Sequence, residues 1–223
     1  MDYQIMDVKE RLLCDNDEAA RQTRAAMRRK GVYFINLMGS PGAGKTSSLL
    51  RLGSLLGDRY RIGVMEADVE SDVDAAAVAE SGMRAVQLHT GGLCHMDADM
   101  TARGLDALEL YELDLVVLEN VGNLVCPAEF DVGADLRMMI LSVPEGDDKP
   151  LKYPLMFSVS DVLLINKIDT APIFDFDYEL ACQRARALNP KVEIFPVCAR
   201  TGKGFPALAE AIARRIEERR REQ

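Results

Sequence analysis

The segment Gly39-Ser40-Pro41-Gly42-Ala43-Gly44-Lys45-Thr46 constrains this chain more than any other feature. It satisfies the pattern G-x-x-x-x-G-K-[ST] at every specified position. The mostly apolar run Val32–Met38 precedes it. Apolar residues at helical spacing follow it, from Leu49, Leu50 and Leu52 to Leu55 and Leu56, and stop at Gly57. A strand, a glycine-rich loop and a helix in that order make a cradle for phosphate. The glycines let backbone N–H groups turn inward, and the helix start adds its positive dipole end. Lys45 is expected to reach the β- and γ-phosphates and the Thr46 hydroxyl to hold Mg²⁺, with Ser47 beside them on the helix.

The rest of the chain repeats the alternation. Short apolar runs at Ile62–Met65, Ala85–Leu88, Leu113–Leu118, Leu136–Val143, Val162–Ile165 and Val192–Val197 read as strands. Helical segments are expected over about 96–111, 179–188 and 206–218, with the charged Pro144–Pro154 stretch as a surface loop. This pattern predicts an α/β fold with three layers: a P-loop NTPase with a mostly parallel central sheet flanked by helices. Residues 1–30 read as an N-terminal helical extension and 31–223 as the nucleotide-binding domain.

Composition narrows the function classes. A formal net charge of −9 argues against binding the nucleic-acid backbone. The arginine-rich end, Arg214–Arg221, reads as a solvated helix terminus. No apolar stretch approaches the roughly 18 residues of a membrane span, and Met1–Glu10 lacks the apolar core of a secretory signal. A cytoplasmic protein is expected. Its five widely spaced cysteines do not resemble a disulfide framework and are buried thiols, metal ligands or reactive groups.

A P-loop enzyme also needs an acid at a neighbouring strand end to hold the magnesium shell. Glu66, Asp68 and Glu119 all qualify by position, and Asp68 with Glu119 is the favoured pair. Asp72 is a candidate for orienting the attacking water. Gly122 sits where a backbone N–H reads the γ-phosphate.

Asn166-Lys167-Ile168-Asp169 follows the run Val162–Ile165 and resembles the N-K-x-D signature of GTPases. Guanine presents N1–H and an exocyclic amine side by side, and one carboxylate, Asp169, accepts both. Lys167 is placed to lie over the base, and Asn166 to tie the loop together. After the next strand, Cys198-Ala199-Arg200 resembles the S-A-K element, in which the Ala199 N–H contacts guanine O6. An ATPase of the same fold is the alternative.

Cys94-His95 and Cys126 carry chemistry suited to zinc or nickel. Spacing alone leaves open a buried thiol and an ordinary histidine. A wider set of motifs bears on this choice: Glu66-Ala67-Asp68, Thr90-Gly91-Gly92-Leu93-Cys94-His95-Met96-Asp97-Ala98, Glu119-Asn120-Val121-Gly122-Asn123-Leu124-Val125-Cys126-Pro127, Glu145-Gly146-Asp147-Asp148-Lys149-Pro150 and Asn166-Lys167-Ile168-Asp169. With these the chain resembles, essentially end to end, the hydrogenase nickel-incorporation GTPases of the HypB family. The related urease maturation GTPases usually carry Cys-Pro-His, whereas Ala128 follows Cys126-Pro127 here.

The resemblance implies a GTPase that dimerises with nucleotide. It implies a Ni²⁺ or Zn²⁺ site at the dimer interface, with ligands matching Cys94, His95 and Cys126. It implies nickel loading into [NiFe]-hydrogenase, with a small HypA-like nickel/zinc metallochaperone as partner and the hydrogenase large subunit as acceptor. A GTP-dependent regulatory switch with a structural zinc site and a urease-type nickel-delivery GTPase are the alternatives. The cysteine-rich nickel site and histidine-rich store of some members are not carried over, since Cys14 is solitary and only His89 and His95 exist. Cys126 follows shortly after Gly122, so hydrolysis is expected to move a metal ligand. In a dimer, Lys152 is placed to reach the partner's phosphates.

Overall fold

The computed structural model describes residues 8–68 and 73–221. Helix α1 (Val8–Lys30) comes first. Strands β1 (Tyr33–Gly39), β2 (Ile62–Asp68), β3 (Arg84–His89) and β4 (Leu115–Glu119) alternate with helices α2 (Lys45–Leu56), α3 (Val73–Glu80) and α4 (Ala98–Ala107). Helix α5 (Cys126–Glu129) leads to β5 (Leu136–Ser142), then α6 (Lys149–Lys152), α7 (Pro154–Val159) and β6 (Val162–Asn166). Helix α8 (Tyr178–Leu188), β7 (Glu193–Pro196) and α9 (Phe205–Arg221) complete the described chain.

The seven strands form one sheet in the order β3-β2-β4-β1-β5-β6-β7, and every neighbouring pair is parallel. The mostly parallel sheet expected from sequence is thus wholly parallel among the described residues. Parallel pairs need crossover helices, which cover both faces, so the strands read as continuous apolar runs. In β1 every residue is buried. Tyr33, Ile35 and Leu37 face α2 and α9, packing with Leu49, Leu52, Leu208 and Ile212. On the opposite face Phe34 packs with Met27 of α1, Leu105 of α4 and Leu108 just after that helix. Met38 joins Phe157 of α7 and Ala181 of α8. One polar residue interrupts this face: Asn36, whose Oδ1 accepts a hydrogen bond from Asn120 Nδ2 at 3.1 Å.

Two boundaries differ from the sequence expectation. Helix α4 starts at Ala98 because the Asp97 carboxylate caps it, accepting from the Met100 N–H at 2.7 Å. The Pro144–Pro154 stretch is not an open loop. It holds a 3-10 turn at Val143–Glu145, then α6 and the start of α7. Its prolines sit in first helical turns, where a missing N–H costs nothing, and Glu145 reaches back to the Ser142 N–H and hydroxyl.

Strand β1 lies at the centre, where connections leave toward opposite edges. Ligands of such sheets bind beyond the carboxyl ends of the strands at that point. The loops after β1, β2, β4 and β6 converge there, carrying the P-loop, Asp68, Glu119 and Asn166.

Candidate functional site

Helix α2 begins at Lys45, directly after Gly44, whose φ is +95°. A side chain at Gly44 would be strained in this left-handed conformation and would overlap Asn166 Nδ2. That nitrogen donates to the Ala43 carbonyl at 2.9 Å, and Asn166 Oδ1 accepts from the Ala199 N–H at 3.1 Å. Asn166 therefore binds the P-loop to both base-side loops. Lys167 adopts φ +60° and its Nζ donates to the Gly42 carbonyl at 2.7 Å.

A cavity of about 660 Å³ opens beside this junction, lined among others by Ser47, Lys167, Asp169, Cys198, Ala199 and Arg200. Arg200 pairs with Asp169 at 2.8 Å and, together with a contact from Cys198, holds its carboxyl below the usual carboxylate range. Arg51 of α2, to which sequence reasoning assigned no role, fixes the same loop by donating to the Ala199 and Arg200 carbonyls, each at 3.2 Å.

A second cavity, about 740 Å³, is lined by Pro41, Gly42, Lys45, Thr46, Glu66, Asp68, Glu119 and Gly122, among others. Lys45 Nζ lies 3.5 Å from the Gly39 and Ser40 carbonyls, and the Thr46 hydroxyl donates to Glu119 Oε1 at 2.9 Å. Glu66 stands beside Glu119 on the neighbouring strand, both buried. Glu66 Oε1 and Glu119 Oε2 have no hydrogen-bond partner. Burial raises both carboxyl pKa values; the facing Glu119 adds to the rise at Glu66, while Lys45 and Thr46 temper it at Glu119. Asp68 ends β2 at the cavity rim, half-buried. From sequence Asp68 and Glu119 are the favoured pair, whereas in the fold the residue directly paired with Glu119 is Glu66. Asp72 lies outside the described residues. Gly122 packs against the P-loop so closely that a Cβ would come within 2.8 Å of Pro41 Cγ.

Cys94 and His95, on the loop after β3, come together with Cys126, which opens α5 after β4. Their ligand atoms all fall within 4.8 Å of one another. The two thiols are 3.0 Å apart, and Cys94 Sγ is 3.7 Å from His95 Nδ1. The His95 ring stacks on Phe130 at 4.0 Å, and burial lowers its pKa, which favours the neutral ligand form. The Cys126 thiol is pushed up by its hydrogen bond to Cys94 and by burial. A cation here would therefore displace thiol protons on binding. Asn120 and Asn123, quoted in the motif but given no role from sequence, brace this region. Asn120 Oδ1 accepts from the Met96 N–H at 3.3 Å, and Asn123 Nδ2 donates to the Cys94 carbonyl at 3.2 Å. Of the other cysteines, Cys14 is exposed, while Cys182 and Cys198 are buried.

The chain matches the family model described as CobW/HypB/UreG, nucleotide-binding domain, over residues 33–196. It is 45% identical to the hydrogenase maturation factor HypB of Azotobacter vinelandii, covering 90% of this chain and 66% of that protein's length. Its fold superposes on HypB from Helicobacter pylori, solved in complex with nickel, with a TM-score of 0.87 and 34% identity, covering 92% of this chain and 96% of that one. HypB from Archaeoglobus fulgidus is similarly related, with a TM-score of 0.85 and 36% identity, covering 91% of this chain and 99% of that one.

Proposed function

We propose, from the premise that this chain belongs to the HypB hydrogenase maturation factors of the CobW/HypB/UreG nucleotide-binding family, that it hydrolyses GTP to GDP and phosphate and uses that cycle to hold and release nickel. One observation carries the reading. The segment Glu119–Cys126 starts at the acid bonded to Thr46, passes Gly122 against Pro41, and ends on a thiol of the Cys94–His95–Cys126 cluster.

The residues fit the ions this reading requires. The unpartnered buried oxygens of Glu66 and Glu119 beside the Thr46 hydroxyl suit a hard cation. Thr46 and Glu119, with Asp68 at the rim, would hold Mg²⁺, which when bound neutralises charge on the β- and γ-phosphate oxygens. Lys45 leaves the Gly39 and Ser40 carbonyls and donates to those phosphates. The Gly122 N–H reads the γ-phosphate. Asp68 and, by its place in the sequence, Asp72 are the candidate acids for orienting the attacking water. Asp169 exchanges Arg200 for the two donors of guanine, while Lys167 covers the base and Ala199 offers its N–H to O6.

Two thiolates and an imidazole suit nickel or zinc, and nickel is here cargo rather than a fixed cofactor. Three ligands from one chain leave a tetrahedral or square site incomplete. A nucleotide-dependent second copy of the chain supplies the remainder and brings Lys152 toward the partner's phosphates. A HypA-like metallochaperone and the hydrogenase large subunit are the matching donor and acceptor. Among the described residues no helix is long and apolar enough to cross a membrane, and the reading places the protein in the cytoplasm.

The test is metal analysis after equilibration with nickel and either GDP or a non-hydrolysable GTP analogue, with molar mass measured in parallel. Nickel content and mass should both change between the two nucleotides, and Cys126→Ser should abolish the change in metal. Identical nickel content in both states would sink the coupling, whatever the hydrolysis rate.

A further inference from the structure

Cys94 and Cys126 reach each other from different connections, one after β3 and one after β4. Their alignment therefore depends on whatever holds those two loops together. Asn123 does this. Its Nδ2 donates to the Cys94 carbonyl at 3.2 Å, and its Oδ1 accepts from the N–H of Val125, the residue before Cys126, at 2.9 Å. Its backbone meanwhile forms an antiparallel bridge with Gly39, the first residue of the P-loop. Gly122, the residue before it, is packed against Pro41. Asn123 thus touches the phosphate cradle through its main chain and both thiol segments through its side chain.

Asn120 provides the contrast. It is buried, and it bonds to Asn36 in the sheet and to the Met96 and Val121 N–H groups. Those contacts anchor the loop root to the rigid sheet. Asn123 is only partly buried and sits beyond Gly122, in the part of the loop a γ-phosphate contact would draw.

We infer that Asn123 is the positioning residue through which the nucleotide state of the P-loop reaches the Cys94–Cys126 pair. This rests on the nucleotide–metal coupling proposed above and names the side chain that carries it. When the Gly122 segment shifts, the Asn123 backbone shifts with it, and the carboxamide draws the Cys94 carbonyl along or lets it go. The separation of the two sulfurs then follows the phosphate. Without the carboxamide, Cys126 still moves with its own loop but Cys94 no longer follows. Two hydrogen bonds of ordinary strength are enough for coupling in the usual range of roughly 5- to 150-fold.

The experiment compares the full-length protein with Asn123→Ala and Asn123→Asp. Nickel(II) affinity is titrated by the thiolate-to-nickel charge-transfer absorption, with GDP and with a non-hydrolysable GTP analogue. Analogue affinity is then measured with and without nickel. In the wild type the two nucleotide states should differ at least about fivefold in nickel affinity, and by linkage nickel should change analogue affinity by the matching factor relative to GDP. In both variants that ratio should fall to within about twofold of one, with the absorption band still present and nucleotide affinity without nickel retained. The ratio is the informative quantity, since a merely structural role for Asn123 would shift both affinities together. Asn123→Asp keeps the shape and the acceptor for the Val125 N–H but replaces the donor with a charged carboxylate oxygen; that charge acts on nickel affinity in both nucleotide states, so the ratio still answers the question even if the alanine variant does not fold. A folded variant with the wild-type ratio overturns this inference and leaves the coupling reading standing. A wild type with no ratio overturns both.

Discussion

Glu66 and Glu119 occupy directly paired positions on the parallel neighbours β2 and β4, each with almost no exposure to solvent. Parallel neighbours in register project their side chains to the same face of the sheet, so two carboxyls share one dry space with Lys45 and Thr46. Burial and mutual repulsion favour a proton shared by the pair, and the single ammonium of Lys45 offsets this only in part.

A pH dependence follows for the cation-free protein. The Glu66 pKa is raised above its ordinary 4.5, first by burial and then by Glu119. A group raised on folding contributes stability that is complete below the unfolded value and is lost as pH climbs through the folded one. Cation-free protein should therefore lose stability from about pH 5 upward, at most about 1.4 kcal/mol per pH unit for one proton. Urea midpoints at pH 6 and pH 8 should diverge in the wild type and diverge less in Glu66→Gln, where the buried Glu119 carboxyl keeps its own raised pKa. Equal divergence in both proteins would remove the shared proton from the account. Mg²⁺ with nucleotide should bind more tightly as pH rises, because it displaces that proton.

Base selection gives a second prediction. Asp169 should accept from N1–H and the exocyclic amine of guanine, so Asp169→Asn replaces one acceptor pair with an amide that offers a donor. Its GTP affinity should fall on the order of 100-fold, while affinity for xanthosine triphosphate, which carries a carbonyl in place of the amine, should rise. Fluorescent nucleotide titration reads both. Unchanged preference for guanine in the variant would place recognition elsewhere in the cavity.

The unequal legibility of this molecule has a physical origin. The P-loop, the Asn166–Asp169 segment and the apolar strands are local patterns, each encoded within a few consecutive residues, so the fold class and nucleotide loops could be read from sequence. The pairing of Glu66 with Glu119 is not local. It depends on β2 lying next to β4, a strand order set by crossover packing, and nothing near Glu66 distinguishes it from Asp68. The roles of Asn120 and Asn123 were hidden likewise, because an asparagine in a loop is ordinary until its partners are known. The Pro144–Pro154 stretch misled for the opposite reason: its prolines signal a loop in isolation, but here they open helices.

Lys152 tests whether catalysis crosses between subunits. It sits at the end of α6 with an exposed side chain, paired with Asp148 at 2.6 Å. Lys152→Ala should slow GTP hydrolysis at least about tenfold at protein concentrations that support the dimer, if the lysine neutralises phosphate charge across it. The denaturant midpoint should not move, because an exposed i,i+4 pair on a short helix adds little to folding. Wild-type turnover by the variant at dimer-forming concentration would make this lysine a surface residue only.

The final prediction concerns α1, which the sequence presents as an extension. Asn16, buried on that helix, donates to the Asp131 carbonyl and accepts from the Ala98 N–H, both at 2.9 Å. About two turns along the helix, Arg24 grips both Asp131 carboxylate oxygens and the Ala134 carbonyl. Asp131 follows Phe130, the ring stacked on His95, and Ala98 begins the helix that leaves the Cys94–His95 loop. Helix α1 therefore staples together the two connections that supply the metal ligands. Asn16→Ala leaves the buried Ala98 N–H and the partly buried Asp131 carbonyl without these partners. It should cost about 1–3 kcal/mol of stability. The loss should appear as a single shifted unfolding transition, since α1 and the sheet pack through the same core around Met27 and Phe34. Nickel affinity should weaken with it in both nucleotide states equally, because the staple braces the ligands without contacting the P-loop. Two resolved transitions in Asn16→Ala, with the wild-type nickel affinity retained, would show instead that the helix melts independently and leaves the metal loops unsupported by it.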